Sequence, residues 1–130
     1  METLIQRAKE ARDSAYVPYS AFPVGACAES DTGLFFQGCN IENASYGLSN
    51  CGERTAIFNA VSAGAKRLKK IAVIADTKAP VSPCGACRQV MAEFMVPEAE
   101  VVLANLKGDT KKMTVAELLP GAFEAGDMDE

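Results

Sequence analysis

Cys84 and Cys87 lie three residues apart in Ser82-Pro83-Cys84-Gly85-Ala86-Cys87, at the start of an expected helix. That spacing puts both sulfurs on one face, close enough to hold one ion. Cys51 adds a third thiol from another element, 33 residues earlier, and Glu53 follows it by two. Three ligands with an acid beside them describe a zinc ion with one open position and a proton carrier next to it. Such an open position is the mark of a catalytic site, because water or substrate fills it. Helix starts favour thiolates, and both ligand sets fall at such starts. Zinc with three thiolates carries a net negative formal charge, which weakens it as a Lewis acid. Arg54 is the neighbouring cation able to offset that charge.

Plainer readings exist for each piece. Cys84-x-x-Cys87 alone is also a dithiol redox motif, although a redox role gives Cys51 and Glu53 no work. A closed structural zinc site would recruit Cys27 or Cys39 as fourth ligand. Arg54 alone reads equally as a surface arginine. Ala65-Lys66-Arg67-Leu68-Lys69-Lys70 reads as solvated charge near a helix C-terminus, where cations are favoured.

Composition narrows the field. A chain of 130 residues, 48% of them hydrophobic, is expected to form one domain over 1–130 with one real core. Five cysteines without a secretory leader make disulfides the weaker reading and metal or catalysis the stronger one. The N-terminus has no signal-peptide pattern, and no apolar run approaches a membrane span, so a cytoplasmic location is expected. Histidine is absent, which excludes Ser-His and Cys-His nucleophilic arrangements. A net charge of −4 and a pI near 4.9 argue against nucleic acid as partner. They leave a small uncharged ligand open.

The elements that must position these residues are legible in part. Thr3 and Gln6 suggest a capping box, and Leu4, Ala8, Ala11 and Ala15 suggest a helix over about residues 3–13. Phe22–Ala28 and Leu34–Gly38 read as a hairpin around Asp31-Thr32-Gly33. A turn-rich stretch, Asn40–Gly47, leads to a second helix beginning near Cys51. Along it Glu53, Ile57, Ala60, Val61 and Gly64 share one stripe, so Glu53 heads the apolar face. A carboxylate there must be paired or spend part of its time neutral. Ile71–Ala75 and Val101–Ala104 are wholly apolar, as strands covered on both faces are. Between them a third helix buries Cys87, Val90, Met91 and Phe94. Thr114 and Glu117 form another capping box, opening a short helix that ends at Pro120. The fold class expected is three-layer α/β/α, with a mixed sheet of about five strands, an N-terminal antiparallel hairpin and then parallel strands.

The same residues carry a family resemblance. Cys51-x-Glu53 with Pro83-Cys84-x-x-Cys87 resembles the zinc nucleoside-deaminase signature in its all-cysteine form. Ser20-x-Phe22-x-Val24-Gly25-Ala26, Asn40-Ile41-Glu42-Asn43, Glu53-Arg54-Thr55-Ala56, Ser82–Gln89 and Glu117-Leu118-Leu119-Pro120 extend the likeness to the small homotetrameric cytidine deaminases. The resemblance implies a cytidine deaminase-like fold and hydrolysis of cytidine and deoxycytidine to uridine and deoxyuridine. It implies one zinc per subunit on Cys51, Cys84 and Cys87, with Glu53 as proton shuttle and Arg54 donating to the sulfurs. Asn40 and Glu42 would hold the ribose, the Gly52 N–H the pyrimidine carbonyl, and Phe22 would pack on the substrate. Phe123 would close over the base from a neighbouring subunit of a homotetramer. Without the resemblance, Phe22 and Phe123 read as core packing. The family usually has Ala where this chain has Gly52, which puts the stiffness of the pocket floor in question. A deaminase of a modified cytosine nucleoside, a zinc-stapled interaction module and a redox protein remain as alternatives.

Overall fold

The structure is a computed structural model and describes residues 2–123. Leu4, Ala8 and Ala11 form the buried stripe of helix α1, Glu2–Arg12. Thr3 therefore lies inside the first turn and is not the cap that the sequence pattern suggested. Strands β1, Val24–Ser30, and β2, Phe35–Cys39, form the expected hairpin. Its turn is closed by Gly33 at φ +89°, a left-handed conformation that glycine adopts without steric cost.

Helix α2, Gly52–Ser62, starts directly after Cys51, and helix α3, Gly85–Phe94, directly after Cys84. Strand β3, Leu68–Ala75, lies between them, so Lys69 and Lys70 belong to a strand instead of a helix end. Lys69 pairs with Glu29 across the sheet at 3.0 Å. Strand β4, Glu100–Asn105, runs parallel to β3 after the α3 crossover. A fifth strand, β5, Thr110–Thr114, returns antiparallel on β4. Helix α4, Val115–Leu118, then opens with the expected capping box: Thr114 and Glu117 each accept from the other's backbone N–H.

The sheet order is β2-β1-β3-β4-β5, and helices cover both faces. Successive residues of a strand point to opposite sides. Cys27, Ala72, Ile74, Val102 and Ala104 meet Leu4 and Ala8 of α1 on one face. Ala26, Ala28, Ile71, Val73, Val101 and Leu103 meet Ala56, Ile57, Met91, Val115 and Leu118 on the other. Two glycines let helices approach the sheet closely. A Cβ on Gly25 would fall 2.0 Å from the Ala8 carbonyl oxygen of α1, and one on Gly38 would fall 2.2 Å from the Ala56 nitrogen of α2. The second contact sets the height of α2, and with it Cys51 and Glu53, above the sheet.

Candidate metal centre and active site

Register puts the site at one end of the sheet. Val24 at the start of β1 pairs with Ala75 at the end of β3, and Gly25 with Cys39 at the end of β2. The loops carrying Cys51 and Cys84 leave from that end, and each feeds a helix N-terminus. The three sulfurs of Cys51, Cys84 and Cys87 lie within 4.8 Å of one another. Cys51 and Cys84 sulfurs are 3.7 Å apart, and those of Cys84 and Cys87 are 3.3 Å apart. A tetrahedral zinc with bonds of about 2.3 Å needs sulfurs roughly 3.8 Å apart. The donor set, all thiol and nearly at that spacing, therefore fits zinc.

Cys27 cannot complete a closed four-thiol site. It faces α1, across the sheet from the cluster. Cys39 pairs with Gly25, which also faces α1, so it points the same way. Among the described residues the metal-capable group is the three cysteines alone.

Electrostatics set the cluster up for a cation. Cys51 is lowered to about 5, first because the Cys87 thiol hydrogen-bonds to it and then because Arg54 does, against the cost of burial. Cys87 moves upward for the reciprocal reason: it keeps its proton beside the Cys51 thiolate. Arg54 Nη2 donates to Cys51 Sγ at 3.3 Å. Its Nε is buried and has no partner among the described residues. Glu53 is only 4% exposed. Burial raises its carboxyl, and the neighbouring Cys51 thiolate adds to the rise. This is the neutral-capable acid that the stripe along α2 implied.

The adjoining loops are stitched by backbone bonds. Tyr16 N–H donates to the Asn40 carbonyl at 3.0 Å and Glu42 N–H to the Tyr16 carbonyl at 2.8 Å. Asn40 and Glu42, two apart, thus turn toward the same loop. Asn40 Nδ2 donates to the Phe22 carbonyl at 2.8 Å, and its Oδ1 accepts from Val24 N–H at 2.9 Å. The Glu42 carboxylate accepts from the N–H groups of Tyr19 and Ser20 and from the Ser20 hydroxyl. The hydroxyl bond is the largest cause holding Glu42 below its ordinary value. Phe22 is 39% exposed, so it is not core filler. Ala21, just before it, has φ +55°, a left-handed conformation that is strained for a residue with a Cβ.

Gly52 lies against Val24, and a Cβ there would sit 3.2 Å from the Val24 carbonyl oxygen. Phe123 is 58% exposed. It lines a groove of about 530 Å³ with Met95, Val96, Leu119 and Pro120, and that groove contains none of the cluster residues. The sequence reading gave no role to Ser20, whose hydroxyl both serves Glu42 and accepts from Phe22 N–H at 3.1 Å. It gave none to Arg88 and Gln89. Their contacts cross from one element to another, and no periodicity signals such bonds.

Residues 1–104 match the family model described as the cytidine and deoxycytidylate deaminase zinc-binding region. The chain belongs to that family. The matched span holds the three cysteines, Glu53, Arg54, Asn40 and Glu42, and ends before Phe123. The family's metal is zinc, and the three thiols suit one ion per chain. The chain is 57% identical over 128 residues to a cytidine deaminase of Sporosarcina psychrophila, covering 98% of this chain and 94% of that one. It is 57% identical over 129 residues to a cytidine deaminase of Halalkalibacterium halodurans, covering 99% and 98%. Its fold superposes on the crystal structure of cytidine deaminase from Burkholderia pseudomallei with a TM-score of 0.92 and 52% identity, covering 94% and 98%.

Proposed function

We propose that the protein is a zinc-dependent hydrolase that converts cytidine and deoxycytidine to uridine and deoxyuridine, releasing ammonia, in pyrimidine salvage. The observation that carries this reading is the buried carboxyl of Glu53 beside a three-thiol cluster that no fourth cysteine closes. Relatives 57% identical over nearly the whole chain are named cytidine deaminases, which supports the substrate.

In this reading Cys51, Cys84 and Cys87 hold the zinc. When bound, the metal supplies Lewis acidity that makes water a competent nucleophile near neutral pH. Glu53 takes one proton from the attacking water and passes it to ring N3, then takes the second from the new C4 hydroxyl and delivers it to the amino group leaving C4. The raised proton affinity of its buried carboxyl suits both directions of transfer. Arg54 donates to Cys51 and offsets the thiolate charge. Gly52 is the first residue of α2, so its N–H has no partner within the helix and is available for the pyrimidine carbonyl. A carboxylate offers about four acceptor positions. Glu42 uses three on the 19–20 loop, which leaves one for a ribose hydroxyl. Asn40 keeps a second amide hydrogen for the same purpose. Phe22 packs on the substrate.

The assembly proposed is a homotetramer in the cytoplasm, without nucleic-acid partners. Residues 1–130 form one catalytic domain, and Phe123 covers a neighbour's site. Its exposed ring and its groove, separate from the cluster of its own chain, support that placement. No described helix is long and apolar enough to cross a membrane. Metal analysis combined with a cytidine assay, followed by loss of absorbance as uridine forms, tests the reading. Zinc with turnover is expected. Zinc without turnover would return the protein to a stapled module, and neither would return it to a redox dithiol.

A further inference from the structure

Arg88 follows the metal pair directly and spends its guanidinium on three separate acceptors. Nε donates to the Pro83 carbonyl at 2.9 Å, Nη2 to the Ser82 hydroxyl at 2.8 Å, and Nη1 to the Leu118 carbonyl at 2.8 Å. The first two bonds fix the residues that lead into Cys84. The third reaches the last residue of α4, whose carbonyl has no partner within its helix. The next residue, Gln89, donates from Nε2 to the Phe123 carbonyl at 2.9 Å. Two adjacent residues of α3 therefore hold both ends of the segment Leu118–Phe123. Between those ends Gly121 turns the chain at φ +68°. The backbone carbonyl of Phe123 is tethered while the residue is 58% exposed. That combination suits a side chain held out for something beyond its own domain.

We propose that Arg88 and Gln89 are positioning residues that make α3 a common mount, fixing the Cys84 loop on one side and the Phe123 segment on the other. The Gln89 part rests on the reading of Phe123 as a cover over the pyrimidine. The Arg88 part rests on the metal loop alone. Each subunit's metal helix then sets the cover lent to its neighbour.

Gln89→Met keeps the side-chain length and removes the donor. It should raise KM for cytidine by about fivefold, the worth of one neutral hydrogen bond, with kcat and zinc content unchanged. Phe123→Ala should also raise KM, and adding Gln89→Met to it should raise KM no further. Arg88→Lys keeps the charge and loses the fork. It should speed zinc release to a chromogenic chelator by about tenfold, a readout independent of turnover. Additive effects of Gln89→Met and Phe123→Ala, or an unchanged KM in Gln89→Met beside a raised one in Phe123→Ala, overturn the mount and leave the cover standing. An unchanged KM in Phe123→Ala overturns the cover reading, and the Gln89 part falls with it. Unchanged zinc release in Arg88→Lys overturns the link to the metal loop.

Discussion

At the residue scale, five cysteines divide into two groups by environment. Cys51, Cys84 and Cys87 cluster beside Arg54, with Cys51 lowered to about 5, whereas Cys27 and Cys39 are buried and burial raises their thiols, that of Cys27 to about 11. Alkylation needs the thiolate. At pH 8, chelator-treated protein should therefore label at Cys51 well before Cys27, read by mass spectrometry. Equal labelling of Cys27 and Cys51 would contradict this grouping. The sign for stability follows from the same shift. Favouring the neutral thiol contributes stability that is complete below the ordinary value of 9.0 and is lost as pH rises toward about 11. Arg54 makes a second prediction. Arg54→Ala should retain zinc and lower kcat, and its pH–rate profile should move to higher pH because the thiolate charge is no longer offset. An unchanged rate and profile would return Arg54 to ordinary surface charge. These residues were legible because chemistry constrains their types and spacing. Ser20 stood in a motif, but its role was not legible, because the sequence does not show which partners a loop hydroxyl will meet.

At the element scale, helix α2 carries the acid and follows directly on the cluster's first cysteine, and its seating decides their position. Ile57 is wholly buried one turn beyond Glu53. Ile57→Ala should cost about 2–5 kcal/mol by denaturant unfolding. A loss below about 0.5 kcal/mol would mean that α2 is not held by that face. Gly52→Ala tests the pocket floor. The added methyl would meet the Val24 carbonyl oxygen at 3.2 Å, a few tenths of an ångström too close. The better helix propensity of alanine opposes that strain. Zinc binding and turnover should survive, with stability changed by less than about 1 kcal/mol. Loss of turnover would mean that the floor cannot give. The apolar runs of β3 and β4 announced themselves because both faces are covered. Strand β5 did not: Thr110-Lys111-Lys112 is exposed at the sheet edge and carries lysine, a common guard against edge pairing that also hides a strand from pattern reading.

At the scale of the whole molecule, the site is built at one end of a mixed sheet by loops that meet only in the fold. The parallel β3–β4 pair and the helices on both faces were expected from the order of elements. The antiparallel return of β5 was not, since nothing in a short Lys-rich segment sets its direction. Sugar selectivity belongs to this scale, because Asn40 and Glu42 are brought to Phe22 by pairing between distant loops. A site built around hydroxyls is left with unpaired groups when they are absent. Free cytosine should therefore have a kcat/KM at least about 10²-fold below that of cytidine. Comparable values would contradict the roles proposed for both residues. The central claim is that Glu53 moves protons and does not bind the metal. Glu53→Gln, analysed for zinc and for cytidine turnover in one preparation, tests it most directly. The account predicts one zinc per chain retained and kcat lower by about 10³-fold. Zinc lost with the carboxylate, or turnover kept within about tenfold of the unaltered protein, would contradict it.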